Sequence, residues 1–165
     1  MELASLTSPD LIFPRLDGAD RTTVLRLLAQ NIAGRGYVRD AQELFDRLVE
    51  REEVASTGVG GGVAIPHCKM SGLDRVVLAV GLQEKGIDFG AVDGQPVRLF
   101  FLVVSPNQTP AAHLQCLAAI SKWVRSEGHV PSLLELVDPQ AIYERLREEE
   151  AGVEVRIAQS ETARR

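Results

Sequence analysis

The sequence predicts an α/β fold in which a mixed β-sheet is flanked by helices on both faces. Two continuous apolar runs, Val76 to Val80 and Val97 to Val104, are typical of strands that are covered on both sides. Amphipathic helical patterns precede and follow these runs, as a layered sandwich of helices and sheet requires. The spacing of the segments is too irregular for a series of βαβ units, so we expect a mixed sheet.

The chain has 165 residues with 45% hydrophobic content, which predicts a single domain over residues 1–165. We expect its core to extend from about residue 20 to about residue 150. The ends, residues 1–10 and 158–165, are predicted to be flexible because they lack a clear periodic pattern.

The charge and the apolar pattern exclude two classes of partner. A net charge of −5 argues against nucleic-acid binding, which usually needs a clustered basic face. No apolar run approaches the roughly 18 residues that a membrane span needs. The start of the sequence lacks a secretory pattern, and the two cysteines are expected to be reduced thiols. We therefore expect a cytoplasmic protein without membrane insertion.

The first part of the chain contains a short strand and two helices. Leu11 to Phe13 can form an edge strand that ends at Pro14. Asp20 is placed as the N-cap of a helix that ends near Gly34. Asp40 begins the next helix, whose apolar residues recur at helical spacing.

The last part of the chain contains two more helices. Thr109 and Pro110 predict a helix start, and the helix extends towards Arg125. The pair Asp138-Pro139 repeats this signal for the final helix. His129, which follows Gly128, is predicted to be solvated in a turn. The alternating residues from Val153 to Ile157 predict an additional edge strand.

The glycine-rich loop from Ser56 to Gly62, followed by Pro66 and His67, is the strongest functional signal. Backbone N–H groups in such a loop can form an anion-binding concavity, and proline stiffens the backbone that enters His67. The loop is not a Walker A motif, since no Gly-Lys-Ser/Thr follows Gly62. It follows a helix and precedes a strand, which is the reverse of a dinucleotide fingerprint.

The position of His113 allows two interpretations. It shares a helical face with Leu117, Ile120 and Val124, which is typical of a hydrogen-bonded histidine in the core. It is also the best candidate for a second histidine beside His67, where it can donate a hydrogen bond to a phosphoryl oxygen.

Two thiols allow alternatives to phosphate chemistry. His67, Cys68, His113 and Cys116 together form a ligand set that zinc accepts. Adjacent residues of an extended segment point to opposite faces, however, which disfavours a shared ion for His67 and Cys68. Cys68 as a nucleophile with His113 as its base is a further alternative.

A phosphohistidine fits more of the pattern. A neutral imidazole has a nitrogen lone pair that can attack a phosphoryl group. The loop N–H groups, the hydroxyls of Ser56 and Thr57, and the Arg51 cation can stabilise the phosphate. Phosphoryl transfer depends mainly on positioning and charge neutralisation, so we predict no metal and no cofactor.

These residues resemble the enzyme IIA domains of the mannitol/fructose and nitrogen-related branch of the bacterial phosphotransferase system. The matching stretches are Arg51-Glu52, Ser56 to Gly60, Ala64 to His67, Asp93 to Val97, Gln108-Thr109 and His113-Leu114. The resemblance implies a phosphohistidine at His67, supported by His113 and by a phosphate-binding set at Arg51, Ser56, Thr57, Gly58 and Gly60. It also implies the mixed-sheet fold predicted above.

The implied activity is that of a phosphotransferase component rather than a complete sugar kinase. The donor would be the phosphocarrier HPr or an HPr-like protein, and the acceptor a IIB domain or a regulatory target. We favour nitrogen-type regulation over sugar uptake. A non-catalytic binding module of the same fold is the alternative. Cys68 stands where the family often has a small residue, and it would add redox sensitivity to the site.

Overall fold

The computed structural model describes residues 1–164, with side chains for all of them except residues 153–158. The first half of the chain forms β1 (Ile12–Phe13), α1 (Arg21–Gly34), α2 (Ala41–Val54), β2 (Gly58–Gly60), β3 (Val63–Ala64) and β4 (His67–Met70). The second half forms β5 (Val77–Ile87), β6 (Val97–Pro106), α3 (Pro110–Arg125), α4 (His129–Leu134) and α5 (Pro139–Ala163). Two 3-10 turns, Leu3–Ser5 and Pro9–Leu11, precede β1.

Strand β6 is the centre of a six-stranded mixed sheet. It pairs with β5 in antiparallel orientation on one side, and β5 pairs in parallel with β1. On its other side β6 pairs in parallel with β3 and then with β4, which follow each other along the same edge. Strand β2 completes the sheet as the antiparallel partner of β3. The position of His67 is thus set by its pairing with the central strand.

The helices form two layers, each with its own apolar core. Alternate residues of β5 and β6 face opposite sides: Phe100 and Leu102 pack in the core beneath α1 and α2, whereas Leu99 and Phe101 pack in the core beneath α3, α4 and α5. This explains the continuous apolar runs, because both faces of these strands are buried. The predicted mixed sheet with helices on both faces is confirmed.

The aspartates predicted to begin three helices form the expected capping bonds. Asp20 accepts a hydrogen bond from the Thr23 N–H at 2.7 Å, and Asp138 accepts one from the Ala141 N–H at 3.0 Å. The Asp40 carboxylate likewise caps α2. These bonds satisfy amide groups that have no partner inside the helix. Thr109 differs from the prediction, because its hydroxyl donates to the Pro106 carbonyl and does not cap α3.

The amino-terminal residues differ from the predicted flexible end. Leu3 is 0% exposed and belongs to the core beneath α3, α4 and α5. The Leu3 and Ala4 amides donate hydrogen bonds to the Glu150 carboxylate at 2.6 and 2.8 Å. The first residues therefore pack against α5. The sequence pattern missed this contact because it joins residues almost 150 positions apart.

The carboxyl-terminal segment also differs from the prediction. The backbone from Val153 to Ile157 continues helix α5 and does not form an edge strand. A short alternating pattern becomes a strand only where a sheet edge pairs with it, and here no proline interrupts the preceding helix. Residues 158–163, predicted to be flexible, belong to the same helix, while Arg165 lies outside the described residues. No described helix combines the length and the apolar content needed to cross a membrane.

His129 is buried, whereas the sequence predicted a solvated turn. His129 is the first residue of the short helix α4, and it is only 6% exposed. The ring lies 5.1 Å from the Trp123 ring, and its Nδ1–H donates to the Trp123 carbonyl at 3.0 Å. The preceding Gly128, at φ 82°, reverses the chain and turns His129 back onto α3.

The buried amino terminus predicts a large effect from a single substitution. We expect Leu3→Ala to lower the free energy of unfolding by about 2–5 kcal/mol, because it leaves a cavity in a packed core. Urea denaturation followed by circular dichroism measures this change. The matched control is Leu114→Ala, which truncates a side chain that is 65% exposed and should change stability little. Equal effects of the two substitutions would contradict the assigned packing of Leu3.

Candidate functional site

His67 is held by backbone pairing on both sides of the segment that carries it. Strands β3 and β4 lie along β6, and Pro66 stands between them. The Pro66 carbonyl accepts a hydrogen bond from the Val103 N–H at 2.9 Å, and the Ile65 N–H donates to the Thr57 carbonyl at 2.9 Å. Proline restricts both its own φ and the residue before it. The chain therefore enters His67 in one fixed geometry, as the Pro-His sequence predicts.

The imidazole of His67 has a hydrogen bond at each nitrogen. Nδ1 lies 2.8 Å from the Ile65 carbonyl oxygen. A carbonyl only accepts hydrogen bonds, so Nδ1 must carry the proton. Arg51 donates its Nε–H to Nε2 at 3.2 Å, which identifies Nε2 as the nitrogen with the lone pair. The half-buried ring thus presents Nε2 as its nucleophilic atom.

The surroundings keep this ring neutral. Burial is the main cause that lowers the pKa of His67 below its usual value of 6.5. The hydrogen bond to the Ile65 carbonyl raises the pKa, and the nearby charge of Arg51 lowers it, for a net decrease. At pH 7 the imidazole is accordingly in the form that has a lone pair.

Arg51 reaches His67 from the last turn of α2. Besides its bond to Nε2, the guanidinium donates through Nη1 to the Ala55 carbonyl at 2.9 Å. Ala55 is the C-cap residue that directly follows α2. A cation at the carboxyl end of a helix is also favoured by the helix dipole. The guanidinium is thereby fixed within hydrogen-bond distance of the nucleophilic nitrogen.

His113 lies next to His67, on helix α3. The two ring centroids are 5.4 Å apart and the planes are tilted by 55°. His113 is buried, and its Nδ1 shares a hydrogen bond of 2.7 Å with the Ser105 hydroxyl at the end of β6. Burial, followed by the nearby His67 and Lys69, lowers the pKa of His113 to about 4. His113 therefore faces the core, and it also lies beside His67. Its contact with a phosphoryl oxygen stays a prediction.

The glycine-rich loop is a tight β-hairpin. Strands β2 and β3 pair in antiparallel orientation around Gly60, Gly61 and Gly62, which have φ values of 94°, 65° and 80°. Residues with side chains rarely adopt these values, so the turn requires glycine. Close packing constrains Gly58 as well, because a Cβ there would lie 2.8 Å from the Ala91 Cα.

Internal hydrogen bonds engage most donors that the sequence assigned to phosphate. The buried Glu52 carboxylate accepts from the Thr57 N–H at 3.0 Å and from the Thr57 hydroxyl. The Ser56 hydroxyl donates to the Phe89 carbonyl and accepts from the Gly58 N–H. Gly60 forms the hairpin strand. The Thr57 donors thus contact a protein carboxylate, and the Ser56 hydroxyl and the Gly58 N–H have protein partners as well. The phosphate-binding roles expected for Ser56, Thr57, Gly58 and Gly60 stay predictions.

A second loop holds the hairpin from outside. Asp93 accepts a hydrogen bond from the Gly61 N–H at 3.0 Å, and this bond lowers the pKa of the Asp93 carboxyl group. The Val92 N–H donates to the Gly58 carbonyl at 3.2 Å. The hairpin is therefore fixed by Glu52 at its base and by Asp93 at its tip.

The two thiols lie on opposite faces of the sheet. Cys68 points into the core beneath α1 and α2, and Cys116 into the core beneath α3, α4 and α5. The four residues of the zinc hypothesis therefore have no common centre, and no group of three His, Cys, Asp or Glu in the described part of the chain is arranged for a metal ion. Burial raises the pKa of Cys68 to about 12, which disfavours the reactive thiolate that redox sensitivity or nucleophilic attack would need.

Exposed apolar side chains lie on the elements that build the site. Val54 ends α2, Val59 lies in β2, Val92 lies in the loop that holds the hairpin, and Leu114 follows His113. Their exposed fractions are 80%, 47%, 82% and 65%. Exposed large apolar side chains are typical of surfaces that contact other proteins where they form one patch. We call these four residues the apolar rim.

The structure thus brings together three of the predicted residues, His67, Arg51 and His113. It adds two that the sequence did not assign, Glu52 and Ser105. Glu52 is adjacent to Arg51, but no local pattern indicates that its carboxylate folds back onto Thr57. Ser105 follows a strong strand, and its contact with His113 depends on how α3 packs.

Comparisons with known proteins concern the family and the fold of the chain. Residues 5–149 match the family model described as phosphoenolpyruvate-dependent sugar phosphotransferase system, EIIA 2. A nitrogen regulatory protein of Bradyrhizobium diazoefficiens is 35% identical over 143 residues, which are 87% of this chain and 93% of that protein. A fructose-specific EIIA component of the phosphotransferase system of Haloferax volcanii is 32% identical over 147 residues, which are 89% and 96% of the two chains.

Solved structures support the fold. The nitrogen regulatory protein IIA-Ntr of Neisseria meningitidis superimposes with a TM-score of 0.80 at 22% identity, covering 87% of this chain and 98% of that one. The mannitol IIA of Escherichia coli gives a TM-score of 0.70 at 18% identity, covering 83% and 96%. The chain belongs to the EIIA 2 family of the phosphoenolpyruvate-dependent sugar phosphotransferase system.

Proposed function

We propose that this protein is a phosphocarrier that accepts a phosphoryl group on Nε2 of His67 and passes it to a second protein. The observation that supports this most directly is the distance of 2.8 Å between Nδ1 and the Ile65 carbonyl oxygen, which requires the proton on Nδ1. A ring in this tautomer has one nucleophilic nitrogen, and that nitrogen is the one facing Arg51.

The transfer needs no metal or external base. The Nε2 lone pair attacks the phosphorus of a phosphohistidine on the donor protein. As the new P–N bond forms, the bond between phosphorus and the donor imidazole breaks, and its electron pair returns to the donor nitrogen. The Nδ1 proton stays in the hydrogen bond to Ile65, which stabilises the positive charge that develops on the ring.

Arg51 and His113 serve the phosphate once it arrives. In the unphosphorylated protein the Arg51 guanidinium donates a hydrogen bond to Nε2 of His67. After the transfer it donates to a phosphoryl oxygen instead and offsets the added negative charge. When Ser105 donates its proton to Nδ1 of His113, the Nε2 of that ring carries a proton. This N–H is the second donor for the phosphate. Ser56, Thr57, Gly58 and Gly60 contribute by holding the hairpin rigid.

The donor in this proposal is HPr or an HPr-like protein, and the acceptor is a IIB domain or a regulatory target. A phosphocarrier must bind each partner briefly, so a small surface with an apolar centre suits it. The apolar rim provides such a surface around the elements that hold His67. One chain of an Escherichia coli complex of mannitol IIA with phosphorylated mannitol IIB has a fold similar to that of this protein, with a TM-score of 0.64.

Between the two outputs, we propose nitrogen-type regulation ahead of sugar uptake. Several relatives that cover most of this chain are named nitrogen regulatory proteins. The fructose-specific relative supports the second output. Incubation of the phosphorylated protein with a purified fructose-type IIB domain separates the two, because rapid transfer to IIB supports sugar uptake and a stable phosphoprotein supports regulation.

The proposed acceptor predicts one phosphorylated atom. After incubation with phosphoenolpyruvate, enzyme I and HPr, we expect an acid-labile, base-stable phosphate that phosphorus–proton correlation NMR assigns to Nε2 of His67. His67→Ala should abolish it. Cys68→Ala should retain it, because that thiol faces the opposite side of the sheet. Phosphate that persists in His67→Ala, or that is attached to Nδ1, would contradict the proposal.

The cation beside Nε2 predicts a rate effect. We expect Arg51→Gln to slow phosphoryl transfer about a hundredfold, since a neutral, shorter side chain loses most of the stabilisation of the transferring group. Arg47→Gln, one turn earlier on α2, is the matched control, because Arg47 lies on the same helix and forms its salt bridge with the exposed Glu43 at 3.5 Å. Rapid-quench measurements give both rates. Similar rates in the two variants would remove Arg51 from the mechanism.

The lowered pKa of His113 predicts a pH dependence of stability. Between pH 6.5 and about 4, the unfolded chain binds a proton at this residue that the folded protein excludes. The free energy of unfolding therefore decreases as the pH falls through this range. His113→Gln should make the decrease shallower in urea titrations at successive pH values, whereas Gln115→Ala, on the exposed side of α3, should match the unmodified protein. Identical slopes in all three proteins would contradict the assigned pKa.

A further inference from the structure

A cavity of about 870 Å³ lies towards the other end of the sheet from His67. Its walls are the segment 14–19 before α1, residues 82–87 of β5, Arg98 of β6, and residues 134–137 between α4 and α5. Arg98 precedes Val103, the strand partner of His67, by five residues, or about 17 Å of extended chain. The cavity is thus separate from the phosphoryl site.

An irregularity in β5 opens this cavity. The pairing of β5 with β6 shifts register between Leu82 and Ile87, so the intervening residues bulge away from the ladder. The side chain of Gln83, which is buried, fixes the bulge: its Nε2 donates to the Gly18 carbonyl at 3.1 Å, and its Oε1 accepts from the Gly86 N–H at 2.6 Å. Bulges of this kind commonly re-aim side chains beside binding sites. The amide of Gln83 ties two walls of the cavity together.

Positive side chains line three walls of the cavity: Arg15 before α1, Lys85 in the bulge and Arg98 on β6. Arg98 donates its Nε–H to the Glu84 carbonyl at 2.9 Å, which orients the guanidinium and leaves its terminal nitrogens for another acceptor. Arg15 and Lys85 are exposed, and their side chains form no ion pair or hydrogen bond within the described residues. Two carboxylates, Asp17 and Glu84, also line the cavity. The three cations exceed these acids by one charge.

The remaining wall is apolar. Leu134, Leu136 and Val137 line it from the α4–α5 connection, and Leu16 lines it from the segment before α1. Val137 is 62% exposed, so its side chain is accessible from the cavity. A volume of this size lies within the range of small-molecule sites, and the lining combines apolar side chains with polar groups.

We propose that this cavity is a second binding site, for a small organic anion with an apolar body. Its carboxylate or phosphate group meets Arg98, Arg15 and Lys85, and its body lies against Leu136 and Val137. Asp17 and Glu84 exclude extended polyanions, because a long negative chain would meet them as well. The proposal is independent of phosphoryl transfer and concerns different residues.

Two-dimensional amide NMR of the 15N-labelled protein tests this site with defined probes. Phenyl phosphate and phenylacetate are titrated separately, and benzyl alcohol serves as the neutral control. We expect saturable shifts for the amides of Gly18, Lys85, Gly86 and Arg98 with at least one anion, and much weaker shifts with the alcohol. The anion that binds with the lower Kd identifies the preferred head group, either carboxylate or phosphate. The same titration of His67→Ala removes any contribution from phosphate bound at that histidine.

Charge-removing variants locate the probe. We expect Arg98→Gln to weaken binding about tenfold, as the loss of one charge-assisted hydrogen bond would. Arg15→Gln also removes one positive charge from the cavity. It should leave the bulge unchanged, because the exposed Arg15 side chain forms no hydrogen bond within the described residues. Arg75→Gln is the matched control, because Arg75 is an exposed cation that lines a different cavity. No saturable shift at these amides up to about 10 mM probe, equal binding of benzyl alcohol, or unchanged affinity in both Arg98→Gln and Arg15→Gln would overturn the proposal.

Discussion

The hydrogen bond from the Nδ1–H of His67 to the Ile65 carbonyl is the contact on which the site depends. It spans two residues and exists because Pro66 fixes the backbone between them. That backbone is fixed in turn by the central strand β6, which pairs with His67 and bonds to Pro66. A buried strand thereby determines which nitrogen of an imidazole has a free lone pair. Arg51 can approach this nitrogen as a donor only in this tautomer.

The surrounding structure keeps the site rigid and its two imidazoles neutral before the phosphate arrives. Glu52 and Asp93 accept the hydrogen bonds of the glycine hairpin, so the loop holds its form without a ligand. Burial lowers the pKa of both site histidines, and Arg51 then supplies positive charge without competition from an imidazolium. An arrangement of this kind stabilises a phosphoryl group by positions that exist before transfer, which is the condition for efficient electrostatic catalysis.

The structural features that the sequence predicts are those with local causes. The Pro66-His67 pair, the Asp20 cap and the apolar runs of β5 and β6 each indicate their own structure. The resemblance of the sequence to enzyme IIA domains supplied the roles of Arg51 and His113. The sequence does not indicate that Glu52 accepts the hydrogen bonds of Thr57, that Leu3 is buried beside α5, or that His129 packs against Trp123. These contacts arise from packing between distant segments, which periodicity and turn chemistry do not encode.

The tautomer of free His67 tests the central claim most directly. Long-range nitrogen–proton correlation NMR of the imidazole at pH 7, assigned by comparison with His67→Ala, distinguishes a protonated nitrogen from one with a lone pair. We predict a neutral ring with the proton on Nδ1 and an unprotonated Nε2. A ring with its proton on Nε2, or an imidazolium, would contradict the claim that the Ile65 carbonyl prepares Nε2 for the phosphoryl group.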